Sequence, residues 1–404
     1  MKRVCKKVDL RDPKVLDPWI RDCLWRHKKR YDFQKLIKKF GCVNGYANST
    51  KKEYDQMVLN ICQYICDAIA NRDISFLPPV KIRIMADRSN GKIREIGCES
   101  AMQQLFDHVC RGASEEVWKR RIVPQQMSSI KGRGPLRGAF MIKRWVIKNN
   151  STIEYNKKHH IRYTDKCKYH VHLDCQKCFP NGDLNKFLDL FKNDCGNDDL
   201  IWLWEALLQT HKVDGYSGFM IGALPSEWAM QYMLSFVYRY AMKLTDNNGN
   251  RIFHYAMWYM DDATLIGSNR RSMIRGIKKI IDYAEETIGQ TIKPKWSIQR
   301  FKDHPIDTMG YIIHKSGKMS IRSRNFLRGR KLMLRSEING LSEKQARRLM
   351  AFKGYFDYTC SYKVNRTLHP KKAYASARRT FKRTAIKRKQ SEVLINENNV
   401  CSSA

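Results

Sequence analysis

The sequence contains no apolar run long enough to span a bilayer. A crossing helix needs about 20 consecutive apolar residues, and the nearest approach, 218–242, is interrupted by Glu227 and Arg239. The opening Met-Lys-Arg-Val-Cys-Lys-Lys has none of the apolar core of a secretory signal. These absences predict a chain with no membrane partner. The 13 cysteines are odd in number and follow no regular spacing, which argues against a disulfide framework and for reduced thiols in the cytoplasm. Acids are scarce: 39 Asp+Glu face 76 Lys+Arg, a net charge of +37. Such a surplus repels itself unless a polyanion neutralises it, so nucleic acid is the expected partner. With 404 residues, 43% of them hydrophobic, the chain can form two or three domains with a sizeable core.

Residues 1–75 read as basic helices, with Trp19, Ile20, Leu24 and Trp25 at helical spacing and a further helix over 53–70. Residues 80–86 alternate, 87–91 turn and 92–96 return, which is a β-hairpin. A helix is expected over 100–120. A basic glycine-rich loop follows at 131–138, then a helix to Lys148 and a polar insertion at 149–165. Tyr169 to Asp174 reads as a strand ending in an acid. Helices are expected over 184–191, 200–210, 225–242 and 271–288, and two short strands near 290–299 and 307–321. From 321 to 390 there are 21 Lys+Arg against Glu337, Glu343 and Asp357. Ser342 and Gln345 form a capping-box pattern that predicts a helix start.

The most informative stretch is Phe253 to Gly267. Apolar and aromatic runs flank Asp261-Asp262, a strand–turn–strand pattern with two acids at its tip. Phosphoryl transfer needs carboxylates on a rigid turn, because two metal ions about 3.5–4 Å apart must be held there. Asp174 lies 87 positions upstream at the end of its own strand. Strand, helices and hairpin in that order bring the two strands side by side in an antiparallel sheet. Asp174, Asp261 and Asp262 could then share two divalent ions, and all-oxygen ligands suit Mg2+, with Mn2+ as a substitute.

At these residues the chain resembles a bacterial reverse transcriptase, over roughly 76–360. Asp174 with Phe179 is similar to the family's first palm motif. Gly222-Ala-Leu-Pro-Ser226 with Gln231 is similar to its glycine–serine motif, and Tyr259-Met260-Asp261-Asp262 to its catalytic box. Lys293-Pro-Lys295 and Met309-Gly310-Tyr311 resemble the lysine motif and the primer-gripping hairpin. The stretch 353–362 is similar to bacterial thumb sequences. The nearest flavours are diversity-generating retroelements, retrons, group II introns and phage-defence enzymes. Glu227 stands where the diversity-generating class typically has Gln, Cys178 where many relatives have an aromatic, and Gln231 where many have Asn. These departures spare the acids and point away from the diversity-generating class.

The resemblance implies an α+β right-hand polymerase. It would have a helical extension at 1–75, fingers at 76–165 and a palm at 166–320 with an antiparallel, RRM- or ferredoxin-like sheet. A basic helical thumb at 321–390 and a flexible tail at 391–404 would complete it. It implies RNA-directed DNA synthesis on a dedicated structured noncoding RNA, with dNTPs as substrates, a DNA product, and phage defence as the role. Another retroelement polymerase, a template-independent or protein-primed DNA polymerase, and a non-catalytic RNA scaffold are the alternatives. A homo-oligomer or accessory protein is left open.

The resemblance implies the following roles as expectations, residue by residue. Asp174, Asp261 and Asp262 hold metal, joined by the Cys175 backbone carbonyl. Lys295 is the general acid, with Lys293 its rival. Arg83 and Arg94 reach the triphosphate through bidentate guanidinium contacts. Cys175, Gly222, Ser226 and Gln231 line the nucleotide pocket. Phe179 is the gate against a 2′-hydroxyl. Arg133, between Gly132 and Gly134, meets phosphates, and Tyr259, Met260, Gly310 and Tyr311 touch nucleic acid.

Overall fold

The computed structural model describes residues 2–86, 91–213, 218–338, 340–359 and 366–401, with the side chains of 385 and 387–401 excepted. Residues 87–90 of the expected turn at 87–91, and the end of the 353–362 motif, lie outside the described residues. The fold is mixed α/β. In chain order the elements are α1 (Pro13–His27), α2 (Tyr31–Lys39), α3 (Lys51–Ala70), β1 (Lys81–Ala86), β2 (Ile93–Cys98), α4 (Ala101–Ala113), α5 (Glu115–Arg121) and β3 (Gln126–Met127). Then come α6 (Pro135–Lys158), β4 (Tyr169–Asp174), α7 (Leu184–Asp194), α8 (Asp198–Gln209), α9 (Leu224–Lys243), β5 (Phe253–Tyr259), β6 (Asp262–Gly267) and α10 (Arg270–Ile288). The chain ends with β7 (Gln299–Arg300), β8 (Ile306–Thr308), β9 (Tyr311–Ile313), β10 (Met319–Ile321), α11 (Ser323–Ile338), α12 (Glu343–Asp357) and α13 (Pro370–Cys401). No helix among the described residues is long and apolar enough to cross a membrane.

The chain divides into two compact units, each discontinuous in sequence. The first comprises 1–130, 172–265 and 269–297; the second comprises 131–171, 266–268 and 298–404. In the first, α1 packs on α3 and α4 and buries Ile20, Leu24, Ile61, Ile65, Phe106 and Val109. Asp12, Thr50 and Ser100 cap these helices by accepting from backbone amides, and Thr50 with Glu53 completes a capping box. That box starts α3 at Lys51. The expected single helix over 100–120 is two helices. The break falls at Ser114, whose hydroxyl donates to the Cys110 carbonyl at 2.8 Å and accepts from the Trp204 indole at 2.8 Å.

A second core gathers under α9. Phe187, Phe191, Trp204 and Tyr232 are buried ring against ring, with Phe187 and Trp204 centroids 5.0 Å apart. Asp194, 1% exposed, is held by Arg121 and by the Tyr232 hydroxyl at 2.7 Å, so this buried charge is paired and hydrogen-bonded.

Five strands run in the order β3-β5-β6-β4-β7. The sheet is mixed rather than antiparallel throughout, because β3 pairs parallel with β5, Gln126 opposite Trp258. The second unit contains a three-stranded sheet, β10-β9-β8, where the sequence suggests one short strand. Its helices α11, α12 and α13 bury Leu332, Met333, Leu349, Phe356, Tyr374 and Ala377. Helix α6 continues past Lys148 to Lys158, because no glycine or proline interrupts 149–158.

Candidate active site

The β5–β6 connection is a two-residue turn, Met260 and Asp261. Met260 takes φ +53°, a left-handed conformation that L-residues adopt only when neighbours enforce it. The enforcement is visible in the parallel partner: the Trp258 amide donates to the Gln125 carbonyl at 3.0 Å and the Met260 amide to the Met127 carbonyl at 3.4 Å. Two acids at the tip are thus held by backbone.

Asp174 comes to the same place. The His172 Nδ1 lies 3.3 Å from the Thr264 hydroxyl and 3.8 Å from Asp262 Oδ1, fixing β4 against β6. The Cys175 amide donates to the Asp261 carbonyl at 3.2 Å. On the other side the Lys293 amide donates to the Asp174 carbonyl at 2.9 Å, and the Lys293 ammonium to Asp174 Oδ2 at 2.5 Å. The second oxygen, Asp174 Oδ1, is buried with no hydrogen-bond partner. Burial pushes the Asp261 carboxyl above its usual range, and the negative charges of Asp174 and Asp262 push it further. A carboxylate cluster with an unpartnered buried oxygen and one ammonium already drawn in fits a hard divalent cation, whose ligands would be Asp174, Asp261 and Asp262.

The loop after Asp174 is pinned from behind. The Gln290 amide group donates to the Cys178 carbonyl at 3.1 Å, and the Gln176 amide to the Thr291 carbonyl at 2.8 Å. The Phe179 carbonyl accepts from the Phe219 amide at 2.9 Å, while its half-buried ring sits directly after this pinned segment. The Cys175 side chain is buried, and its free thiol is in hydrogen-bonding contact with that of Cys178.

Arg83 and Arg94 share one face of the β1–β2 hairpin, since Arg83 pairs with Ile96 and Met85 with Arg94. Both are exposed. Gly222 approaches that hairpin at φ +97°, where a Cβ would lie 2.9 Å from Ile96 Cγ2. The Gly97 amide donates to the Ile221 carbonyl at 2.9 Å, tying hairpin to motif. Ser226 and Gln231 are buried, 0% and 1% exposed. Ser226 Oγ accepts from the Met220 amide at 3.0 Å. The Gln231 amide group donates to the Met127 and Ser128 carbonyls at 2.8 and 3.0 Å and accepts from Gln126 at 3.0 Å. Their polar groups are therefore engaged within the protein, those of Gln231 on the last residue of β3 and the one after it.

Lys295 is exposed; of the two lysines, Lys293 meets Asp174. His172 beside Asp262 was not singled out as a site residue, although two histidines alternate on β4. Tyr259, half-buried, and Met260, buried, belong to the first unit with the acids. Arg133, Gly310 and Tyr311 belong to the second. There Met309 (φ +51°) and Gly310 (φ +85°) turn β8 into β9 with positive φ at both central positions, as a type I′ hairpin requires. A Cβ on Gly310 would lie 2.5 Å from Asn325. The Tyr311 ring lies 4.7 Å from that of Tyr355, whose hydroxyl donates to the Met309 carbonyl at 3.2 Å.

No family model and no curated protein matches the chain. Solved structures do. One of telomerase from Candida tropicalis with a fragment of telomeric RNA is 12% identical over 84% of this chain and 71% of that one, with a TM-score of 0.47. Telomerase from Candida albicans, likewise with such a fragment, is 11% identical over 89% and 74%, at 0.42. The apo enzyme from Candida tropicalis is 9% identical over 93% and 77%, at 0.44. These similarities are too slight to bear on function.

Proposed function

We propose that this chain is an RNA-directed DNA polymerase. The observation that carries the reading is the three-acid cluster: Asp174, Asp261 and Asp262 converge, one buried oxygen has no partner, and Asp261 is raised by burial and then by its acidic neighbours. Like charges held together at this expense need a cation to relieve them, which a scaffold would have no reason to keep.

Two Mg2+ ions, when bound, would supply Lewis-acid activation of a primer 3′-hydroxyl and stabilisation of the leaving pyrophosphate. The chain's own residues do the rest. Lys293 orients Asp174 through its ammonium and backbone amide. Arg83 and Arg94, on one hairpin face, grip the triphosphate. Phe179, on a pinned loop, excludes a 2′-hydroxyl. Lys295, exposed beside the cluster's own lysine, protonates the departing pyrophosphate. In this reading β1 and β2 are fingers, the five-stranded sheet is palm, α11 to α13 are thumb, and the template is a dedicated RNA. The order of strand, helices, two strands, helix, strand supports a palm of the split βαβ kind. Phage defence is the biological role attached to it, tested by plating phage on cells carrying the gene or its Asp261→Asn form.

The direct test is primer extension on an RNA template with purified protein and Mg2+, offering dNTPs or NTPs. Extension with dNTPs alone, lost in Asp261→Asn, is expected. Extension by the variant, or with NTPs as readily, would overturn the reading.

A further inference from the structure

The second unit has a cleft of about 710 Å3 that no residue of the three-acid cluster lines. Its frame is rigid. The Lys315 ammonium donates to both Asp165 oxygens at 2.7 and 2.9 Å and to the Cys167 carbonyl at 2.8 Å. Asn149, 4% exposed, donates to Asp165 at 2.9 Å and accepts from the Lys166 amide at 3.0 Å. Asn150 donates to the Lys315 carbonyl at 2.7 Å. The polar stretch after α6 is thereby folded back as a fixed wall.

Facing this frame are Lys157, Lys168, Arg300 and Lys302. Only Glu154 and Asp165 bring negative charge to the lining, and Asp165 is neutralised by Lys315. Tyr163 also lines the cleft, 42% exposed, with the Lys157 ammonium 5.7 Å from its ring. Ile161 and Tyr155, on the same stretch of chain, are 49% and 60% exposed. A trough of cations follows a phosphodiester backbone, and an exposed aromatic ring stacks on a base whatever its identity. Thr164, Ser268 and Glu154 add hydroxyl and carboxylate groups of the kind that bond a ribose 2′-hydroxyl. An apolar ligand finds little here.

We propose that this cleft binds a single-stranded segment of RNA, stacking one base on Tyr163 and holding its phosphates with Lys157, Lys168 and Lys302. It rests on the polymerase reading only in giving the bound RNA a second foothold, beyond the one a template needs at the acids.

The test uses full-length Asp261→Asn protein, which binds without extending, and single-stranded RNA carrying 4-thiouridine. After ultraviolet crosslinking, modified peptides covering 153–168 and 300–302 are expected. Lys157→Glu, Lys168→Glu and Lys302→Glu together should lower affinity about 10-fold or more and reduce the salt slope by about 2. Tyr163→Ala should remove the crosslink at 163. The same reversals in otherwise wild-type protein should leave extension of a short primer–template intact, which shows the variant folded. Crosslinks found only elsewhere, or a triple variant that binds as before, would overturn the assignment. So would equal crosslinking of single-stranded DNA, or displacement by a mononucleotide at comparable concentration. Crosslinks here with no polymerisation by wild type would leave this site standing while the polymerase reading fell; active enzyme without them would do the reverse.

Discussion

Replacing Asp261 with Asn should make the protein inactive and more stable at once. Asp261 is raised above its usual range chiefly by burial, then by Asp174 and Asp262. A carboxyl whose folded pKa lies above its unfolded value binds its proton more tightly when folded. Its contribution to stability is full below the unfolded pKa and is lost as pH rises through the folded one. Above its folded pKa the wild type therefore carries an ionised, partly desolvated acid against two others. An isosteric amide removes that charge and should recover roughly 1 kcal/mol, the usual size of relieving one unfavourable charge, or about 1–3 °C in Tm for a chain of this size. The gap should close as pH falls below the Asp261 pKa, where the wild type is neutral too. Mg2+ should reverse the order: at ten times its Kd it stabilises whatever binds it by about 1.4 kcal/mol, and the variant has lost a ligand. Thermal melts across pH, with and without Mg2+, read all of this. A variant less stable than wild type without metal, or stabilised equally by Mg2+, would refute the reasoning.

Four further substitutions probe the neighbours. Lys293→Met removes the ammonium at Asp174 Oδ2, so Mg2+ should bind more tightly in a calorimetric titration, while Lys295→Met should cost about 100-fold in kcat as loss of a general acid; the opposite assignment would show the reverse pattern. Gly222→Ala forces a left-handed φ on alanine and a 2.9 Å approach to Ile96, costing about 1–3 kcal/mol and raising the KM for dNTPs through the hairpin; an unchanged melt and KM would count against the tie between motif and hairpin. Phe179→Ala should raise incorporation of NTPs relative to dNTPs by roughly 10-fold or more, measured by single-nucleotide extension; an unchanged ratio would remove Phe179 from the gate.

The acids were legible because their pattern is local. An apolar strand, a tight acidic turn and a second apolar strand leave one way to fold, and a strand ending in Asp174 supplies the third carboxylate. The partner of Asp174 was less legible. Lys293 and Lys295 differ by two positions, and only the bridge between Cys175 and Ile292 fixes which ammonium meets it. The parallel strand β3 is two residues long and has no period to read, yet it sets the turn that carries Asp261. The extension of α6 to Lys158 was hidden by its polar composition; what holds the segment after it is Asn149, bonded to Asp165 and Lys166 across 16 and 17 positions, and Asp165, bonded to Lys315 across 150, which no local pattern encodes.

Ser226 shows how a motif can be right while the role of its residue changes. Its side chain is 0% exposed, accepts from the Met220 amide at 3.0 Å and lies 3.4 Å from His211 Nδ1. His211 in turn meets Glu99 at 3.1 Å, immediately after the β2 strand of the hairpin. Near them Asp107 is fully buried, and burial together with Glu99 holds its carboxyl well above the usual range. A serine so placed shapes the Met220–Gly222 loop from beneath, and the loop meets Ile96. Ser226→Ala leaves the Met220 amide buried without its acceptor, a cost of about 1–3 kcal/mol. Melting temperature should fall, and the KM for dNTPs should rise only as far as the loop relaxes, with Ser226→Thr restoring part of both. A serine that touched nucleotide directly would instead lose KM at constant Tm, and that outcome would return it to the pocket wall.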